Sequence, residues 1–110
     1  MKITTDPFKD KKFRDEFLFR EMGLRVGRQV MLNRKARGMS VAKLASLANI
    51  RITHLKSIER GKIARVTLET FFAIAKAFDC ALDIRFEKSQ SAIDRHLSGD
   101  YREMIIKPGI

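Results

Sequence analysis

Residues 40–61 contain two short segments with apolar faces and a turn residue between them. Their inward positions, spaced as on helices, are Leu44, Ala45, Ala48, Ile50, Leu55 and Ile58. Asn49 separates the segments, and asparagine tolerates a left-handed backbone better than any other residue except glycine. The pattern predicts a short helix capped by Ser40, a sharp turn, and a second short helix from Arg51 to Arg60 that stops at Gly61.

The chain before this pair predicts two further helices. Asp6-Pro7 is typical of a helix start, and a first helix is expected from about Phe8 to Met22. Gly23 and Gly27 suggest a break, after which a second helix should run to Arg37. The inward stripe of that second helix is Val26, Val30 and then Arg34, a charged residue where an apolar one is expected.

After the pair, Thr67 is a good N-cap residue for a helix whose apolar positions recur at helical spacing. Its aromatic residues Phe71, Phe72 and Phe78 are expected in the core. From Leu82 to Phe86 apolar and charged residues alternate, which predicts a strand with Leu82, Ile84 and Phe86 on one face. Its partner is either Met104–Ile106 in the same chain or the same strand of a second copy. A further helix is possible around residues 92–97.

The net charge of +10 comes entirely from residues 23–66, which hold one acidic residue, Glu59. The basic residues there are Arg25, Arg28, Arg34, Lys35, Arg37, Lys43, Arg51, Lys56, Arg60, Lys62 and Arg65. Such a concentration favours a polyanionic partner. A carboxylate would weaken a phosphate-binding surface unless it is turned inward. The direction of Glu59 is therefore the central structural question.

Composition excludes several classes of protein. The 110 residues fit a single domain, and no apolar run approaches the roughly 20 residues that span a membrane. The N-terminus lacks the pattern of a signal peptide, and Cys80 is the only cysteine, so we expect a cytoplasmic protein. Two distant histidines and one cysteine cannot form a zinc set or a Cys–His pair, and no Gly-rich phosphate loop is present. We expect no enzymatic activity, metal or cofactor.

Residues 26–78 resemble the Cro/CI-type (XRE) helix-turn-helix proteins. The family pattern appears as Ser40–Ala45, then Asn49-Ile50, then Leu55–Lys62 with its Glu-Arg-Gly-Lys sequence. The resemblance implies that Arg34 forms a buried salt bridge with Glu59, which would turn this carboxylate inward. The continuation through residues 67–86 is similar to the HipB-like and HigA-like antitoxin repressors, in which a terminal strand pairs across a dimer.

The resemblance also implies how the chain binds DNA. In this motif the second helix enters the major groove. Its outward residues, expected to contact bases, are Arg51, Ile52, Thr53, Lys56 and Ser57. The residues expected to contact phosphates are Ser40, Val41, Lys43, Arg60, Lys62 and Arg65. Val41 replaces the glutamine usual in the family, so this contact is either lost or left to backbone N–H groups.

These observations predict an all-α, lambda repressor-like domain with an added N-terminal helix and a C-terminal β-strand. The expected divisions are an extension over residues 1–22, the DNA-binding domain over 23–80, a dimerising strand over 81–88 and a tail over 89–110. We expect a homodimeric repressor that binds an inverted repeat of double-stranded DNA and regulates its own operon. The alternative is an antitoxin that neutralises a toxin protein by direct contact. Non-specific binding to RNA or to a membrane surface is a third hypothesis.

Overall fold

The computed structural model describes residues 6–99 and 104–110. The parts of the predicted extension and tail at residues 1–5 and 100–103 lie outside the described residues. A 3₁₀ turn at Pro7–Lys9 precedes five α-helices. These are α1 (Lys11–Ala36), α2 (Val41–Ala48), α3 (Ile52–Glu59), α4 (Leu68–Ala77) and α5 (Ser89–Ser98). The all-α prediction is confirmed, and no helix in the described part of the chain is long and apolar enough to cross a membrane.

The first helix is continuous over 26 residues, so the predicted break at Gly23 is wrong. A Cβ atom at Gly23 would lie 2.3 Å from the carbonyl oxygen of Gly61. At Gly27 it would lie 2.5 Å from the carbonyl oxygen of Ile58. The two glycines therefore permit close packing of α1 against the end of α3 rather than ending a helix. The predicted start is also shifted, because Asp6 caps only the 3₁₀ turn and Asp10 caps α1.

The helices α2 and α3 form the predicted bent pair. Ser40 Oγ accepts a hydrogen bond from the backbone N–H of Lys43 at 3.0 Å, which caps α2. Asn49 ends α2 in the left-handed region, with φ 55° and ψ 47°. Leu44, Leu55 and Ile58 are fully buried between the helices. Local turn chemistry and apolar burial together fix the angle of this pair.

The helix α4 packs against α2 through the buried residues Ile74 and Ala75, and its C-cap residue Phe78 is buried as well. One of the three predicted core aromatics is misplaced, because Phe72 is 53% exposed. Its ring lies 5.8 Å from the Lys76 ammonium group. Its position satisfies the helical spacing, but α2 covers only part of the apolar arc of α4.

Residues 81–88 join α4 to α5 without forming a strand in the described structure. Leu82, Ile84 and Phe86 are all exposed. The proposed hairpin with Met104–Ile106 is wrong, because that segment instead contacts the C-terminal end of α1. A strand needs a backbone partner, and the backbone of residues 81–87 has no such partner within the described chain. The helix α5 packs against α1 through its buried residues Ala92 and Ile93.

Candidate nucleic-acid interface

An internal ion pair joins α1 to α3, the second helix of the motif. Arg34 on α1 donates from Nε to Oε2 of Glu59 at 2.7 Å and from Nη2 to Oε1 at 3.0 Å. A third hydrogen bond runs from Nη1 to the carbonyl oxygen of Met39 at 3.0 Å. Both charged side chains are only about one-tenth exposed. The hydrogen bonds to Glu59 raise the pKa of Arg34 although its burial opposes this.

This geometry answers the question posed by the sequence, because it turns the carboxylate of Glu59 inward. Bidentate pairing of arginine with a carboxylate fixes orientation as well as distance. The pair therefore braces the end of α3 against α1. The outer surface of α3 is left without its acidic residue, while Lys56 on the helix and Arg60 just after it remain exposed.

The helix α3 presents the residues predicted to contact bases on its solvent side. Arg51, Thr53 and Lys56 are exposed, and Ser57 is half-buried. Ile52 is 44% exposed although it is a large branched apolar residue. Leu55 and Ile58 occupy the opposite side of the helix in the core. The outer surface of α3 thus combines cationic, hydroxyl and apolar groups, the chemistry that reads base edges in a major groove.

The residues predicted to contact phosphates lie at the two ends of the motif. Ser40 and Lys43 are exposed at the start of α2, and Val41 is half-buried against the core. Because Ser40 Oγ already accepts the N–H of Lys43, the backbone N–H groups of Val41 and Ala42 are the ones left to bind an anion there. Arg60, Lys62 and Arg65 are exposed after α3.

A groove of about 420 Å³ connects α3 with the basic loop that follows it. Its polar lining includes His54, Ser57, Lys62 and Arg65, and its apolar lining includes Phe19 of α1. Phe19 is 52% exposed and was not predicted to lie near this surface. From the sequence, Phe19 can be placed near this surface only if α1 is taken to continue without a break through Gly23. His54 also borders a second depression, at the turn, of about 410 Å³.

Not all of the basic segment faces this surface. Arg37 donates hydrogen bonds to the carbonyl oxygens of Phe78 and Ile106. Arg25 lies within 4 Å of the carboxylates of Glu21 and Glu87, so its charge is also engaged within the protein. Arg34 likewise has its partner inside the protein. The candidate interface therefore includes only some of the basic residues of the segment 23–66.

Two short helices with a shared apolar core, an internal brace and a basic outer face define a helix-turn-helix DNA-binding domain. A family model described as Helix-turn-helix matches residues 30–84, half of the chain. The chain belongs to this family, the Cro/CI-type (XRE) helix-turn-helix proteins, which are DNA-binding regulators of transcription. No curated protein and no solved structure matches the chain.

Proposed function

We propose that this protein is a transcriptional repressor that binds a specific double-stranded DNA sequence as a homodimer. The observation that carries the proposal is the inward pairing of Glu59 with Arg34. It fixes α3 at a defined angle and leaves a cationic outer face. A DNA-binding domain of this kind reads an inverted repeat when two copies are related by two-fold symmetry. Repression of its own operon would follow from an operator placed at its promoter.

Base reading is assigned to the outer side of α3. Arg51 and Lys56 are exposed cations, and donation to the O6 and N7 atoms of guanine is the commonest specific contact of such residues. The exposed Ile52 suits a thymine methyl group. Thr53 and Ser57 carry hydroxyl groups that can bind bases or phosphates. Each well-placed base contact contributes about 1–3 kcal/mol of discrimination.

Phosphate contacts are assigned to the two ends of the motif. At the start of α2, the free N–H groups at Val41 and Ala42, together with the Lys43 side chain, suit one phosphate. Lys62 and Arg65 line the groove beside α3, so they can bind the backbone that flanks the same major groove. These contacts position the helix without reading sequence.

The dimer contact is assigned to residues 81–87. Leu82, Ile84 and Phe86 are 42%, 62% and 102% exposed, so none of these three apolar side chains is packed in the core. Pairing of this segment with its counterpart would satisfy its backbone and cover the three side chains. Half-sites about 10 bp apart, or a multiple of that, would then be expected.

A selection of bound sequences from random duplex DNA tests the base-reading assignment. The unmodified protein should recover an inverted repeat. Arg51→Ala or Lys56→Ala should relax the preference at one position in each half-site. Lys76→Ala removes a basic side chain from the last turn of α4 and serves as the matched control. An unchanged preference in both α3 variants would refute the assignment of α3 to the groove.

Sedimentation of the variant Ile84→Asp tests the dimer assignment. A charge at this position opposes burial in an interface, so the variant should sediment as a monomer where the unmodified protein is a dimer. Asp83→Asn alters a neighbouring residue without adding charge and is the control. Dimers that persist in Ile84→Asp would remove residues 81–87 from the interface.

A second candidate function is that of an antitoxin, favoured by the exposed apolar residues Phe13 and Phe19 on the first half of α1. In this hypothesis that surface contacts a toxin, and DNA binding serves autoregulation. We then expect a toxin reading frame beside the gene. Co-expression of this chain should neutralise the toxin that this frame encodes. Phe13→Ser should weaken neutralisation while DNA binding is retained, and neutralisation unaffected by this change would contradict the assigned surface.

A further inference from the structure

The C-terminal end of α1 carries a buried side-chain amide, Asn33, which is 5% exposed. Its Nδ2 donates to the carbonyl oxygens of Gln29 at 2.8 Å and Met104 at 2.7 Å. Its Oδ1 accepts from the backbone N–H of Ile106 at 2.8 Å and from Nη1 of Arg37 at 3.0 Å. Both donors and both acceptor positions of the amide are thus used. Two of the four bonds go to a backbone segment more than 70 residues away.

Arg37 completes the same contact. Its Nη2 donates to the carbonyl oxygen of Ile106 at 2.8 Å and to that of Phe78 at 2.7 Å. The guanidinium carbon lies 4.7 Å from the centre of the Phe78 ring. Further along the tail, the backbone N–H of Gly109 donates to the carbonyl oxygen of Asp79 at 2.9 Å. The C-terminal segment is therefore tied both to the end of α1 and to the end of α4.

The contacted atoms of the tail all belong to its backbone. They are the carbonyl of Met104 and both the N–H and the carbonyl of Ile106. The amide of Asn33 offers this stretch one donor and one acceptor, as a neighbouring peptide group would. The side chains of Ile105 and Ile106 remain nearly half exposed, so the backbone supplies the hydrogen bonds.

We propose that Asn33 and Arg37 form a main-chain clamp, a binding site for one short peptide segment. Its occupant is residues 104–106 of the same chain, bound through backbone atoms. The clamp uses Arg37 inside the protein and so withdraws this arginine from DNA binding. The bound segment locks the ends of α1 and α4 together, because Arg37 contacts Phe78 and Ile106 at once. The proposal does not depend on the DNA-binding assignments.

Amide hydrogen exchange in the full-length protein, followed by NMR, tests the clamp. The N–H groups of Ile106 and Gly109 report on the tail, and the N–H of Phe78, bonded to Ile74 at 3.0 Å, reports on the core. Asn33→Leu removes the amide, and exchange at Ile106 and Gly109 should accelerate about tenfold or more. The rate at Phe78 should change far less, and Gln90→Leu, which removes an exposed amide from α5, should leave all three rates unchanged.

A second pair of variants separates backbone recognition from side-chain packing. Replacing Ile106 by its α-hydroxy acid analogue converts one peptide group to an ester. The change deletes the backbone N–H that donates to Oδ1 of Asn33. Exchange at Gly109 should then accelerate about tenfold. Ile106→Ala keeps the N–H and its hydrogen bond to Asn33, so the exchange rate at Gly109 should change less than threefold. The ester leaves Asn33 and its helix intact, so it remains informative if Asn33→Leu disturbs folding.

Three results would overturn the proposal. The first is exchange of the Ile106 N–H at the rate of an unstructured peptide in the unmodified protein. The second is an unchanged rate at Gly109 in the ester variant. The third is an acceleration in Ile106→Ala as large as that in the ester, which would assign the binding to the side chain.

Discussion

The brace between Arg34 and Glu59 predicts a large and specific loss of stability when one partner is removed. In Glu59→Leu the guanidinium of Arg34 loses two charge-assisted hydrogen bonds, of 2.7 and 3.0 Å, and keeps its bond to the carbonyl of Met39. Its side chain is only 11% exposed, so water cannot easily replace the lost carboxylate. Breaking a buried ion pair in this way costs about 3–5 kcal/mol.

This loss of stability arises because Arg34 is left buried without its partner. A double variant that also removes Arg34 should therefore regain much of the lost stability. Replacing both partners, as Arg34→Met with Glu59→Leu, removes two charges whose burial is itself costly. The double variant should therefore be more stable than Glu59→Leu alone by about 2 kcal/mol or more. Glu59→Gln, which keeps one acceptor but no charge, should fall between Glu59→Leu and the unmodified protein.

Urea denaturation followed by far-UV circular dichroism at pH 7 measures these differences. With a slope of about 1–3 kcal/mol per molar urea, the loss in Glu59→Leu corresponds to a midpoint shift of roughly 1–5 M. Asp15→Asn, which breaks the exposed pair of Lys11 and Asp15, is the control and should leave the midpoint unchanged. A loss below about 1 kcal/mol in Glu59→Leu, or a double variant no more stable than it, would refute a buried brace.

Three further predictions concern packing, pH and DNA. Gly27→Ala should lower the free energy of unfolding by about 1–3 kcal/mol in urea, because its Cβ would meet the carbonyl of Ile58 at 2.5 Å; a stabilised variant would contradict this close packing. The hydrogen bonds from Arg95 lower the pKa of Glu87, so their stabilising contribution is present above the ordinary glutamate pKa and is lost as the pH falls through the lowered value. Glu87→Gln should remove that part of the acid dependence in thermal melts between pH 6 and 3, and melts with unchanged acid dependence would exclude the pair as its source. Lys62→Ala should weaken binding to all duplexes equally and lower the salt slope by about 1, and an unchanged slope would contradict a phosphate contact.

The bent pair of helices could be predicted because its determinants are local. The apolar spacing of Leu44, Leu55 and Ile58 and the left-handed tolerance of Asn49 act within a few residues of each other. The family resemblance supplied the contact between Arg34 and Glu59, which are 25 positions apart. Without that resemblance, the charged residue in the stripe of α1 indicates only that some inward partner exists.

The features that could not be predicted from the sequence depend on packing between residues far apart in the chain. Glycine suits both a helix end and a close helix contact, and only the position of α3 determines which role Gly23 and Gly27 have. Alternation at residues 82–86 predicts a strand, but a strand also needs a partner, and the described chain provides none for this segment. The clamp of Asn33 and Arg37 left no pattern because it binds backbone atoms, which every residue shares.

The basic segment shows why net charge alone overstates a nucleic-acid surface. Arginine is favoured for internal pairing because its planar group makes several directed hydrogen bonds and stays charged when buried. Arg34 uses this property to brace two helices and Arg37 uses it to hold the C-terminal backbone, so neither charge is available to a phosphate. Loss of Arg34 would therefore affect the candidate interface through Glu59, because its carboxylate would be free to turn outward beside Lys56. The charge of the candidate interface therefore depends on the orientation of one acidic residue as well as on the number of basic ones.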